Sequence, residues 1–140
     1  MEQLYEQKRA AYALGCVKDI NDNQSDAVKT KYRTAVRSLG PSVIMSGLGQ
    51  SLATLYARGE RNNGDDGARL LLSHVIQWIG RCALVEIDEA RSAQQFFLRV
   101  NASPRKTYNL MRVEVVALLE WLSKYAVAML PNPKDGDGGE

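Results

Sequence analysis

Apolar residues return every three or four positions through most of this chain, and that spacing predicts helices throughout. From about Glu2 to Ile20, Tyr5, Tyr12, Cys16 and Ile20 share one face, with Arg9 in its middle. An arginine there can lay its stem on the aromatic rings and send its head to a carboxylate or carbonyl. After the polar cluster NDNQSD, Ser25 or Asp26 is placed to cap a second helix. Its buried stripe is Val28, Tyr32, Ala35, Val36 and Leu39. Gly40-Pro41 predicts the end of that helix and the start of a third, with Ile44, Leu48, Leu52 and Leu55 on its apolar face. Gly47 and Gly49 inside it point to a tight crossing with another backbone, because each costs about 1 kcal/mol relative to alanine in a helix.

The stretch RGERNNGDDG, Arg58 to Gly67, reads as an exposed loop, after which Asp66 can cap a fourth helix running to about Gly80. Leu70, Leu71, Val75, Trp78 and Ile79 are its expected core residues. A fifth helix, from about Asp88 to Val100, is expected to bury Ala90, Ala93, Phe97 and Val100, with Arg91, Gln95 and Arg99 opposite. Ser103-Pro104 supplies a cap and a first-turn proline for a long last helix. Tyr108, Met111, Val115, Leu118, Leu122, Tyr125, Ala126 and Met129 keep helical spacing until Pro131. No alternating Val/Ile/Thr run bounded by hairpin turns is present. The expectation is an all-α fold: a single compact bundle of about six helices over residues 1–130, with a disordered Pro/Gly/Asp tail over 131–140.

Composition adds little to this picture and charge adds a great deal. The chain of 140 residues, 45% hydrophobic and 24% charged, has the make-up of a soluble globular domain. It has no apolar run of about 18 residues, and its charged N-terminus lacks the apolar core of a signal peptide. Cys16 and Cys82 show no ligand spacing and read as reduced thiols, which suggests a cytoplasmic protein. The net charge of +2 conceals strong segregation. From Ala27 to Gly59 the chain carries Lys29, Lys31, Arg33, Arg37 and Arg58 and no acid. From Ala90 to Val113 it carries Arg91, Arg99, Arg105, Lys106 and Arg112, again with no acid. Solvated helix faces would produce such windows, and so would a surface for a polyanion, since an adjacent carboxylate opposes each phosphate contact.

Catalytic chemistry is harder to assemble. His74, the one histidine, lies among leucines and reads as a core or interhelical hydrogen-bonding residue, without a nucleophile or acid placed near it. Asp65-Asp66 have a capping explanation, and Glu114 and Glu120 lie off a common face, so no metal site is expected. The segment GLGQS has neither the lysine of a phosphate-binding loop nor the third glycine of a dinucleotide fingerprint. The expectation is a protein without catalysis, cofactor or metal.

Four segments together resemble the small all-helical subunit of the Cmr complex, the type III-B CRISPR RNA-guided effector. They are EQKRAAYALGCV (Glu6 to Val17), KYRTAVRSLGPSVIMSGLGQSLATLYARG (Lys31 to Gly59), LLLSHVIQWI (Leu70 to Ile79), and the last helix. In that helix Tyr108, Arg112, Glu114, Leu118, Trp121, Leu122, Lys124 and Tyr125 follow the family's Tyr…Glu…Leu…Trp-Leu-x-Lys pattern, with Arg112 standing where relatives often have threonine. The resemblance implies a structural, RNA-contacting subunit. Copies of it would stack beside larger subunits and help hold the guide-RNA/target-RNA duplex while other subunits cleave the target RNA and make signalling nucleotides. Because each guide differs in sequence, contacts to phosphates and sugars are expected. Lys29, Lys31, Arg33, Arg37, Arg58, Arg99, Arg105 and Lys106 are the expected RNA-facing residues, with Lys29, Arg33 and Arg37 in a row opposite the apolar stripe. Two rival readings are a helical adaptor whose basic faces meet acidic protein partners and a small nuclease built on His74.

Overall fold

The computed structural model describes residues 4–82, 85 and 89–132. Six helices account for the regular structure of those residues: α1 (Tyr5–Asn23), α2 (Asp26–Ser46), α3 (Leu48–Glu60), α4 (Asp66–Arg81), α5 (Ala93–Ala102) and α6 (Arg105–Met129). No strand occurs among them. The all-α bundle of six helices expected from the periodicity is therefore the observed architecture. Residues 133–140 of the expected tail, Glu2 at the start of the first helix, and Asp88 at the start of the fifth lie outside the described residues.

The α4 helix occupies the centre, packed by α2, α3, α5 and α6. Its apolar residues Leu71, Val75, Trp78 and Ile79 are buried, and Leu70 is half-buried against the same core. Tyr12 of α1 donates its hydroxyl to the His74 carbonyl oxygen at 2.6 Å, and the Tyr32 hydroxyl of α2 meets His74 Nδ1 at 2.7 Å. Trp78 Nε1 donates to Glu114 of α6 at 2.8 Å. The same carboxylate accepts from Arg9 Nε at 2.8 Å and from Arg9 Nη2 at 2.9 Å. Glu114 is buried, so its charge needs these donors, and they come from α1 and α4. The expected path of Arg9 to a carboxylate is thus realised, and the guanidinium also lies 5.6 Å from the Tyr5 ring centroid.

Helix ends depart from the sequence reading in instructive ways. Gly40-Pro41 does not break the chain; α2 runs straight through Pro41, and the break comes at Gly47. Gly47 has φ +93° and ψ 160°, a conformation essentially closed to residues with a Cβ, so the turn falls where glycine permits it. Ile44 consequently belongs to α2 and is 67% exposed, not part of an apolar face of α3. Gly49 meets no neighbouring backbone. Its N–H donates to the Tyr108 hydroxyl at 2.9 Å, and that hydroxyl would lie 3.2 Å from an added Cβ. The tight backbone crossing lies instead at Gly67, where a Cβ would stand 2.4 Å from the Tyr32 nitrogen.

Ser25 caps α2 through Val28 N–H, and Asp65, not Asp66, caps α4 through Ala68 N–H. The α5 helix begins at Ala93 with Ser92 as its cap, and it buries Phe96 and Val100 while Ala90, Ala93 and Phe97 are partly covered. Ser103 turns its hydroxyl back to the Val100 carbonyl and closes α5, which leaves Pro104 in the cap position of α6.

These surroundings set the outcome of substitutions at Glu114, Gly15 and Gly67. Glu114→Gln should cost about 2 kcal/mol in urea unfolding at pH 7, because the half-buried Arg9 guanidinium then loses its counter-ion and its charge-assisted hydrogen bonds. The double substitution Arg9→Met/Glu114→Met should recover most of that loss, and additive losses in the double variant would refute the coupling. Gly15→Ala should stabilise by about 0.5–1 kcal/mol, since Gly15 is exposed inside α1 with open space around it. Gly67→Ala should instead destabilise strongly, through the clash with the α2 backbone.

Candidate nucleic-acid interface

The basic residues of the two acid-free windows do not form one face. The α2 and α3 helices make an antiparallel hairpin, in which the Ser42 and Ser51 hydroxyls meet at 2.7 Å. Ala35 and Ser38 of α2 share a small cleft with Arg58 of α3. Lys31 lies one turn before Ala35 on the same side of α2 and is exposed, so Lys31 and the half-buried Arg58 stand at the open end of the hairpin. Arg105 and Lys106 occupy the first turn of α6 and are both exposed. Tyr108, bonded to Gly49, sets that turn beside the closed end of the hairpin. The two ends are about 24 Å apart along α2 at 1.5 Å per residue. Arg99, in the last turn of α5, donates to the Glu89 carbonyl and is half-buried.

The row Lys29–Arg33–Arg37 is corrected by the structure. Arg33 is 6% exposed, and its Nε is the one buried side-chain polar atom without a hydrogen-bond partner among the described residues. Three helices, α3, α4 and α6, pack on α2, so the buried arc is wider than the single stripe of Val28 to Leu39 and takes in its flank. Lys29 is also mostly covered, with its Nζ 3.6 Å from Asp26 Oδ1. Arg37 alone of the three is exposed, and it lines a groove between α2 and α6.

The α6 N-terminus concentrates positive potential. Arg105 and Lys106 add two cations where the helix dipole is already positive, and the first turn contains no acid. Within the isolated chain that arrangement is unfavourable, and an anion placed there would meet both cations and the unpaired N–H groups of the first turn.

His74 has a structural place. It is buried, bonded to Tyr32, and held edge-on to that ring with centroids 5.5 Å apart. Burial pushes its pKa down to about 4, against a smaller opposing pull from Asp19. Burial also holds the Tyr32 and Tyr12 hydroxyls well above their usual range and pushes the Cys16 thiol up to about 11. Among the described residues no group of three or more His, Cys, Asp or Glu side chains is placed to hold a metal, and no helix is long and apolar enough to cross a membrane. The signal that sequence reasoning missed is Glu114: an acid among Val113, Val115 and Val116 on an otherwise apolar helix marks a buried carboxylate in need of donors.

The chain is thus a small all-helical bundle with segregated cations and a histidine committed to the core. An X-ray crystal structure of a CRISPR-associated Cmr5 family protein from Thermus thermophilus has the same fold. Its TM-score is 0.73 at 21% sequence identity, covering 92% of this chain and 100% of that one. The family described as CRISPR-associated protein (Cas_Cmr5) matches residues 5–129, and the chain belongs to that family. Family membership makes it a structural subunit of the Cmr CRISPR complex, associated with the complex's other subunits.

The His74 shift has a definite pH signature. Its folded-state pKa lies below the unfolded value near 6.5, so the unfolded chain binds the extra proton first. Stability should be full above about pH 6.5 and fall by up to about 3 kcal/mol as pH drops toward 4. In His74→Asn, with an amide near the Nδ1 position, this part of the pH dependence should vanish. An unchanged acid limb in urea titrations of that variant would refute the assignment.

Proposed function

We propose that this chain is a non-catalytic subunit that stabilises the assembly and contacts the guide-RNA/target-RNA backbone through its exposed cations. The observation that carries this reading is the pair Arg105 and Lys106, exposed on the dipole-positive end of α6 without an acid in that turn. Lys31 and Arg58 offer a second basic point at the far end of the α2–α3 hairpin. Basic points at opposite ends of the α2–α3 hairpin suit an extended polyanion, which spans both, better than a compact anion, which reaches one. Phosphate and sugar contacts fit lysine and arginine on helix surfaces, and they keep recognition independent of guide sequence.

Arg37 and Arg99 contribute at the edges of this surface, Lys29 through a partly covered ammonium, and Arg33 only through its field. Further copies of the chain stack beside one another in the assembly. The nuclease reading loses its one candidate base, because His74 is buried and its ring nitrogen is engaged by Tyr32.

In the assembled complex, Arg105→Glu/Lys106→Glu should weaken retention of guide or target RNA. It should also lower the slope of log affinity against log salt by roughly 1.5–2, at about 0.9 per duplex phosphate contact. Unchanged affinity and an unchanged salt slope, with the complex still formed, would remove the α6 N-terminus from the RNA surface.

A further inference from the structure

The RNA reading leaves one surface of the molecule without a purpose. A groove of about 610 Å³ runs between α2 and α6, and its apolar lining is Val36, Ile44, Val116, Leu119 and Val127. Ile44 is 67% exposed and Val127 46%, and next to them Met45 is 86% and Val113 56% exposed. A phosphate backbone gives such residues no partner, and their exposure to water is unfavourable at roughly 25 cal/mol per Å². The charged lining holds two cations to one acid. Arg37 and Lys124 stand on it with Glu120 as the one acid, and Lys124 Nζ is held 6.0 Å from the Trp121 ring centroid. Upstream on α2, the buried Arg33 adds a positive charge with no salt bridge among the described residues.

We propose that this groove docks an amphipathic helix of another protein, its apolar stripe flanked by acidic residues. The lining extends over Val116 to Val127 of α6, about 16 Å at 1.5 Å per residue. That length accommodates anchors at i, i+3 or i+4, and i+7, the spacing by which a helix enters a groove. Acidic flanks meet Arg37 and Lys124. A second copy seated groove to groove is a poor occupant, because it would set Arg37 and Lys124 against the same two cations. The inference does not depend on the RNA surface, and Arg37 at the edge of that surface borders this groove as well.

The probe is a fluorescein-labelled synthetic peptide of about five helical turns, with leucines at i, i+3, i+4 and i+7 and glutamates between them. A scrambled peptide and a lysine-for-glutamate peptide are its controls. Anisotropy titrations on the full chain should show the acidic amphipathic peptide binding at least about tenfold tighter than either control. Ile44→Ser/Val127→Ser and Arg37→Glu/Lys124→Glu should each weaken binding by at least about tenfold. Arg105→Glu/Lys106→Glu should leave it unchanged, which separates this outcome from any failure of RNA binding. Equal binding of the controls, or indifference to the groove substitutions, overturns the proposal. So does displacement of the peptide by duplex RNA, which would return the groove to the RNA surface. Self-association in sedimentation that Ile44→Ser abolishes would also overturn it, in favour of a second copy.

Discussion

A carboxylate cannot stay charged inside an apolar bundle unless donors surround it, and the Glu114 side chain sets that condition for this fold. Its two oxygens accept two bonds from Arg9 and one from Trp78, which fixes α1 and α4 to one level of α6. Apolar packing alone tolerates sliding by a turn, because leucine meets leucine about equally well after it. A bidentate pair does not tolerate it. The ring of Tyr12 over Trp78, with centroids 5.0 Å apart, and the Tyr32–His74 bond then lock α1 and α2 onto the same central helix. Register is thus assigned by polar groups within a core whose bulk is hydrophobic.

That division of labour leaves the outside free for electrostatics. Because α2 is covered on three sides, only selected cations of its basic window reach water. Cations remain exposed at the two ends of the α2–α3 hairpin and along the α2–α6 seam. The distribution suits a component that touches several neighbours at once more than one built around a single pocket.

The helix count, the centres of the buried stripes in α2, α4 and α6, and the destination of Arg9 were legible from periodicity and from the rule that arginine is seldom buried alone, whereas Ile44 is exposed and α5 buries Phe96 in place of Phe97. Two kinds of information were not. Local punctuation misled at Gly40-Pro41, because proline is accommodated within α2 while the φ of +93° that ends it falls at Gly47. One-dimensional stripes also say nothing about how many neighbours a helix has. Arg33 lies at the flank of its stripe and becomes buried only because neighbouring helices close that side. Of the candidate interface, Lys31, Arg37, Arg105 and Lys106 are exposed as their sequence context suggests, whereas the α2–α6 groove depends on two segments some eighty residues apart and has no linear signature.

The separation of 105 residues between Arg9 and Glu114 also orders events during synthesis. The contiguous stretch from α2 to α4 contains the hairpin and the helix that packs on it, so its contacts close over short loops as the chain emerges. The α1 helix is made first but cannot reach its partner carboxylate until α6 leaves the ribosome. Tyr5 and Tyr12 can already meet Trp78 once α4 is made, whereas the Arg9 guanidinium stays without its carboxylate until α6 follows. Of these six helices the first is completed by the last, and its arginine stays unpaired until then.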